Sequence, residues 1–209
     1  MIPKLKARNP ELSFLTIDDD SNLFRKIKLS AEQIISLSDK IEDSKANQYI
    51  PSDVALEELD IIKTLEKEVF AELPIQAGWC YGANRFMNAF EWHKTSEVVV
   101  ACSDCLLLLG DYKDIIDETY NSEKAVALVL EKGQAVELMP LTLHFAPLPI
   151  EEFFKVAIIL VKKTNLPLAS GIDGSRRAIN KWMLVHADNI MGVLNGGKVG
   201  IIGENLNIK

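Results

Sequence analysis

The chain of 209 residues has little of several features that mark particular classes of protein. Its 3 cysteines cannot all pair within one chain, so it lacks the disulfide framework of a small secreted domain. Lys and Arg number 23 against 30 Asp and Glu, and the formal net charge is −7. This balance argues against nucleic acid and anionic lipid as partners, because contacts to phosphate need clustered cations.

Long apolar runs are also missing. No run approaches the roughly 20 residues that cross a bilayer. Residues 1–8 lack the apolar stretch of a signal peptide, so we expect a cytoplasmic protein without a membrane partner. With 48% hydrophobic and 25% charged residues, the composition is that of a globular protein, and the length suits one domain over residues 1–209.

Residues 1–74 predict a strand followed by two helices. The strand is expected at 11–17, and Asp18, Asp19 and Asp20 after it indicate a solvated turn, because the glycine and the last glutamate of a calcium loop are absent. Ser30 and Gln33 have the spacing of a capping box, and the helix they begin should end in the polar residues 42–48. A second helix, capped by residues 52–53, is expected to run to about residue 72.

From residue 75 to 209 the pattern changes to short apolar runs separated by turn residues, which is typical of an all-β fold. Strands are predicted at 76–81, 88–102, 105–109, 125–130, 153–161 and 180–186. A long loop is expected at 162–177. The glycines of 196–203 lack the spacing of a phosphate-binding loop and indicate a terminal hairpin.

Cys102 and Cys105 form a C-x-x-C pair, which is found in zinc sites and in redox sites. No second pair accompanies it, and a two-residue turn at 103–104 would place the two cysteines opposite each other. We therefore interpret both as structural residues. Cys102 also has the opposite parity to the site residues that follow here and should point away from them.

Glu91, His93 and Glu97 are separated by two and four residues. On an extended strand such side chains leave from the same face, so three groups able to bind a metal should converge. Phe90 and Trp92 should occupy the opposite face. The alternative is a solvated strand face that happens to carry these three residues.

A second patch, residues 131–147, contains a glycine turn, an apolar strand, Pro140 and then His144. Together the two patches resemble the motifs of the cupin superfamily, in which two hairpins of a small β-barrel bring together a His-x-His-x3-Glu set and a later histidine. Here Glu91 stands in place of the first histidine, Asp104 stands where a glycine is usual, and no glycine lies between Pro140 and His144. The N-terminal region and the tail resemble an uncharacterised family of bacterial cupin-like proteins.

The resemblance implies an all-β-dominated fold, a double-stranded β-helix barrel with two N-terminal helices, and a metal site. Glu91, His93, Glu97 and His144 would be the ligands. A mixed imidazole and carboxylate set suits a divalent Mn, Fe, Ni or Zn ion, which would also relieve the repulsion of two buried carboxylates. Cupin sugar isomerases and ureidoglycolate lyase are similar, so the expected function is metal-dependent isomerisation of a small polar metabolite. A lyase and a binding protein without catalysis remain the alternatives.

Five further residues are candidates around this site. Glu137 and Lys181 are the predicted catalytic residues, with Glu137, or Glu97 if it does not bind the metal, as the proton shuttle. Asn84, Asn88 and His186 are predicted to bind substrate. The apolar run 106–109 needs cover, and barrels of this type often pair, so we also expect a homodimer.

Overall fold

The computed structural model describes residues 1–209 and is rich in strands. The strands are β1 (Ser13–Leu15), β2 (Phe24–Ile27), β3 (Gln48–Ile50), β4 (Ile75–Gly82), β5 (Ala89–Trp92), β6 (Glu97–Ala101), β7 (Cys105–Asp111), β8 (Tyr120–Asn121), β9 (Val126–Leu130), β10 (Ala135–Leu138), β11 (Thr142–Leu143), β12 (Leu148–Pro149), β13 (Phe154–Val161), β14 (Arg176–Ala178), β15 (Lys181–His186) and β16 (Lys198–Ile202). The helices are α1 (Ile2–Arg8), α2 (Glu32–Ser38), α3 (Val54–Glu57), α4 (Asp60–Glu68) and α5 (Ile190–Leu194), with 3₁₀ turns at Tyr112–Asp114 and Ser122–Lys124.

The strands form three sheets. The first sheet has the order β1-β9-β7-β11, with β12 also paired to β7. The second sheet has the order β2-β10-β6-β13-β4-β3. The third sheet has the order β14-β15-β16-β8, with β5 paired to β15. Strands β1, β2 and β3 come from the first 74 residues, so this part of the chain contributes to the same sheets as the rest.

The first sheet is buried on both faces. Leu107 and Leu109 of β7 pack with the inner face of the second sheet, whereas Leu106 and Leu108 pack with residues of the third sheet. A strand covered on both sides is apolar at every position, which explains the leucine run. Because the protein's own layers cover this run, it gives no reason for a partner subunit, and the homodimer stays a prediction.

Helices α2, α3 and α4 cover the outer face of the second sheet. Ile34, Leu56, Ile62 and Leu65 from these helices pack against Val98 and other residues of that face. The two long helices predicted from the sequence are shorter here. The first ends at Ser38 and lacks the Ser30–Gln33 capping box, since Ser30 bonds to Glu32 instead.

The second predicted helix is divided into α3 and α4. Asp53 caps α3 as expected, because its carboxylate accepts from the backbone N–H of Ala55 at 2.9 Å. Helix α1 was not predicted. None of the five helices, of which α4 is the longest with nine residues, has the length and apolar character needed to span a bilayer.

Two predicted connections are wrong. Strands β6 and β7 lie in different sheets, so residues 103–104 carry the chain between layers and do not close a hairpin. Cys102 and Cys105 consequently lie in different core clusters, both buried and free of disulfides. Strand β16 runs parallel to both β15 and β8, so the expected terminal hairpin is absent.

Candidate metal centre

Two segments that are distant in sequence pair directly at the centre. The backbone N–H of Glu91 donates to the carbonyl of His144 at 2.7 Å, and that of His144 donates to the carbonyl of Glu91 at 2.9 Å. The N–H of Leu141 donates to the carbonyl of His93 at 2.8 Å. In an antiparallel bridge, directly opposed side chains lie on the same face. The pairing therefore brings the side chain of His144 beside that of Glu91.

Glu97 reaches the centre from another sheet. Glu91 is in β5 of the third sheet, whereas Glu97 begins β6 of the second sheet, and the chain bends between them. Phe90 and Trp92 pack in an apolar core cluster, as the alternation predicted. The even spacing thus predicted the convergence correctly, although the segment is not one continuous strand.

Three side chains meet within the dimensions of one coordination sphere, and Glu97 adjoins two of them. Donor atoms of Glu91, His93 and His144 all lie within 4.8 Å of one another. Glu97 Oε2 lies 3.4 Å from His93 Nε2 and 3.2 Å from His144 Nε2. Ligands at about 2.0–2.2 Å from one ion are separated by roughly 3 Å when they lie at right angles. The observed separations are close to those of a metal site.

Backbone carbonyls fix the orientation of both imidazoles. His93 Nδ1 lies 2.6 Å from the carbonyl oxygen of Asn180, and His144 Nδ1 lies 2.8 Å from that of Thr142. Because a carbonyl only accepts, each Nδ1 must carry the proton. In a neutral ring each Nε2 then presents a lone pair to the carboxylates, which is the tautomer that binds a metal.

His93 Nε2 is buried and has no hydrogen-bond partner. A buried acceptor without a partner costs free energy, and here it faces Glu91 at 3.7 Å and Glu97 at 3.4 Å. Without an ion, only a proton on the ring relieves the repulsion between lone pair and carboxylates. A divalent cation would satisfy the nitrogen and both carboxylates at once, so the residues fit a metal.

The pKa values of these groups respond to burial and to each other. Burial alone would raise the pKa of Glu91, but the Lys181 ammonium and the imidazoles outweigh it and lower that pKa well below its usual range. For Glu97 burial is likewise outweighed, chiefly by His144, and the pKa falls to about 2. Burial lowers the pKa of His93, but Glu91 and Glu97 raise it to about 9. In the metal-free centre a proton on His93 therefore offsets part of the negative charge of Glu91 and Glu97.

Lys181 adjoins this cluster, as the sequence suggested. Its ammonium pairs with Oε2 of Glu91, while Oε1 of the same carboxylate faces His93. The Glu91 carboxylate therefore stands between the Lys181 cation and the point where the imidazoles converge. Both side chains are largely shielded from solvent, with 17% exposure for Lys181 and 13% for Glu91.

The donors open into two adjoining spaces. An inner pocket of about 50 Å³ is lined by Glu91, Glu97 and His144, among others. An outer cavity of about 1000 Å³ shares six lining residues with it: Tyr49, Cys80, Glu91, Phe145, Ala146 and Asn165. The outer cavity is large enough for a small metabolite, and Lys181 lines it.

Glu137 is not at the centre, and the prediction of a proton shuttle at this position is wrong. It lies opposite Val98 in the sheet register, and both side chains leave the face that is packed by the helices. Glu97, one residue away from Val98, faces the other side. Glu137 pairs with Arg25 and is 3% exposed, so its carboxylate serves an ion pair on the outer face.

The three predicted substrate-binding residues have mainly structural contacts. Asn88 has a positive φ of 59°, and its amide bonds to Asn84 and Asn205, so it shapes the entry to β5 even though it borders the outer cavity. The amide of Asn84 also bonds to the backbone of Phe86. His186 is buried between the carbonyl of Gly203 and the N–H of Asp188, away from both spaces.

Several residues that line the site were missed. Tyr49 precedes the all-β region, Asn165 and Arg177 lie in the predicted loop, and Cys80 lies in a predicted strand. Burial raises the pKa of Cys80 to about 12, so its sulfur is a thiol in the metal-free protein. Asn180 was also missed, although its carbonyl orients His93; no sequence signal marked it.

Comparisons with known proteins add the family. No curated protein sequence matches the chain. Among solved structures, oxalate decarboxylase of Bacillus subtilis, a protein with Mn(II) centres, is 13% identical over 46% of this chain and 24% of its own, with a TM-score of 0.33. Procruciferin, the 11S globulin of Brassica napus, is 9% identical over 56% of this chain and 24% of its own, with a TM-score of 0.34.

The chain thus spans about a quarter of the length of these two structures, and the similarity is too low to transfer an activity. The family comparison covers far more of the chain. Its model matches residues 22–206, which include every residue of the candidate centre. The chain belongs to the family described as Domain of unknown function (DUF4867).

Proposed function

We propose that the protein is a metal-dependent cupin enzyme, built on a double-stranded β-helix, that isomerises a small polar metabolite of the sugar class. One observation carries the metal-binding part. Two buried imidazoles, each held at Nδ1 by a backbone carbonyl, direct Nε2 toward two buried carboxylates. This donor set suits a divalent transition metal such as Mn, Fe, Ni or Zn.

The residues around the donors would divide the chemical work. A bound metal ion would act as a Lewis acid toward a carbonyl and a neighbouring hydroxyl of an open-chain substrate. Lys181, fixed beside Glu91 and bordering the outer cavity, would donate a hydrogen bond to a substrate oxygen. Glu97 borders the inner pocket and is the carboxylate available to move a proton between adjacent carbons, provided that it does not bind the metal.

A binding protein without catalysis is the second candidate, and the position of Glu137 favours it. With that carboxylate on the outer face, the centre contains no carboxylate beyond the two that surround the imidazoles. If both bind the metal, no obvious base remains. A lyase of the ureidoglycolate type is the enzymatic alternative, because it would use a similar chelate.

Metal analysis followed by a turnover assay tests the proposal. Protein purified without chelator should contain about one equivalent of a divalent transition metal, and Glu91→Gln or His93→Ala should reduce this content. The loaded protein is then incubated with a panel of aldoses and ketoses, and products are detected by NMR. Metal-dependent conversion supports the enzyme, saturable binding without product supports the binding protein, and absence of stoichiometric metal contradicts the metal-dependent enzyme.

A further inference from the structure

The walls of the outer cavity carry few charges. Of its 20 lining residues only Glu91, Arg177 and Lys181 are charged, and six others are carboxamides: Asn47, Gln48, Asn88, Asn165, Asn189 and Asn195. Lys181 already has Glu91 as its partner. Arg177 forms no ion pair, and its Nη1 is buried without a hydrogen-bond partner. Within a protein of net charge −7, this cavity therefore holds an uncompensated cation.

A β-bulge brings Arg177 to the cavity. In the pairing of β14 with β15, Arg176 is opposite Trp182 and Ala178 is opposite Lys181, so Arg177 is an extra residue without a partner. Bulges redirect side chains and occur often beside functional sites. Here the bulge places the guanidinium in the wall that Lys181 also lines. The neighbouring Arg176 pairs with Asp173 and does not line the cavity.

A second residue of the cavity supports a ligand. Asn165 Oδ1 is buried without a partner, while its Nδ2 donates to the Tyr49 hydroxyl, and Asn165 lines the same cavity as Arg177. A ligand that reaches both residues would satisfy a buried cationic donor and a buried acceptor.

We propose that Arg177 forms a subsite for an oxyanion of the substrate, a carboxylate or a phosphate, and that Asn165 accepts from one of the substrate's hydroxyls. This inference rests on the proposed function, because it assigns the substrate of the same site to the hydroxylated acids and sugar phosphates. The guanidinium suits either group, since its planar donors form paired hydrogen bonds with carboxylate and phosphate alike. The carboxamides would bind the polyol chain, and the metal centre would receive the reacting end.

Three six-carbon probes test the subsite by calorimetry: glucitol, gluconate and glucitol 6-phosphate. They share a polyol chain and differ in charge. We expect one of the two acids, or both, to bind the wild-type protein at least tenfold more tightly than glucitol. Arg177→Met should weaken that binding roughly 10- to 100-fold, the range for a lost hydrogen bond to a charged group. Glucitol should bind both proteins equally.

The matched control is Arg176→Met, which removes the same side chain from the adjacent position and should keep the preference for acids. Arg177→Lys keeps the charge but loses the paired geometry, and should retain part of the preference. The comparison of probes on the wild-type protein needs no variant, so the test survives poor folding of Arg177→Met. The acid that binds more tightly shows whether the subsite takes a carboxylate or a phosphate.

Repeating the titrations on metal-free protein separates this inference from the proposed function. If the acids still bind through Arg177 and no metal is taken up, the subsite stands and the metal-dependent enzyme does not. If the metal binds but neither acid exceeds glucitol tenfold, or Arg177→Met keeps the preference, the subsite is refuted while the proposed function remains.

Discussion

Replacing His144 with alanine should remove the metal while leaving the protein folded. The substitution deletes Nε2, which lies 3.2 Å from Glu97, and Nδ1, which donates to Thr142. It keeps the two backbone hydrogen bonds to Glu91, because these do not involve the side chain. In metal-free protein the lost bond to Glu97 should cost roughly 1.5–3 kcal/mol of the free energy of unfolding, and the lost bond to the Thr142 carbonyl should cost about 0.5–1.5 kcal/mol more.

The larger effect appears when metal is added. At a metal concentration 100 times the dissociation constant, binding stabilises the wild-type protein by about 2.7 kcal/mol. In a chain of 209 residues this raises Tm by roughly 5–11 °C, at about 2–4 °C per kcal/mol. Losing even an outer-shell partner of a metal ligand weakens affinity about 10- to 100-fold. If His144→Ala weakens it about 100-fold, the same metal concentration stabilises the variant by only about 0.4 kcal/mol.

Thermal unfolding with and without metal, together with metal analysis, measures both effects. His186→Ala is the matched control: that imidazole is also buried and bonded to the backbone, but it lies away from the centre. It should lower Tm and keep the full metal-induced increase. If His144→Ala retains the wild-type increase, or His186→Ala loses it, the assignment of the centre is refuted.

Three further predictions concern neighbouring charges. Lys181→Met leaves Glu91 buried without its cation, so Tm of the metal-free protein should fall. The increase in Tm on adding metal should then exceed that of the wild type, and an unchanged increase would contradict the ion pair between Lys181 and Glu91. The pKa of His93 is raised from 6.5 to about 9, so its protonation stabilises the metal-free protein below pH 6.5, and this stability should be lost as the pH rises through 9. Urea unfolding at pH 6 and at pH 9 measures the loss. Saturating metal should abolish it. Glu137→Gln should lower Tm, because Arg25 loses its partner, and should leave the metal content unchanged. Altered metal affinity would contradict the placement of Glu137 outside the centre.

The local sequence pattern pointed to most residues of the candidate centre, but it did not predict how the strands pair. Parity predicted that Glu91, His93 and Glu97 converge, and His93 Nε2 does lie 3.7 Å from Glu91 and 3.4 Å from Glu97, although the chain bends between His93 and Glu97. It could not place Glu137. The strand there was predicted, but its inward face depends on the register with β6, which is set by pairing between distant segments.

Residues that are positioned by irregular backbone could not be predicted from the sequence. Arg177 reaches the cavity through a bulge, and Asn180 orients His93 through its carbonyl while adopting a φ of 55°. Neither feature has a periodic pattern, because each depends on one local departure from regular pairing. The long helices failed for a related reason: α3 and α4 are separated where Leu59 becomes extended, and the apolar spacing continues across the break.

The centre stands where three sheets meet. Glu97 belongs to the second sheet, Glu91 to the third, and His144 follows β11 of the first. An ion held there would join all three layers at one point. Local opening of any one of these strands would remove a ligand, so the escape rate of the ion would be set by the most easily opened sheet edge. Slow release of the ion would then depend on how rarely these strands open, as much as on the strength of the individual coordination bonds.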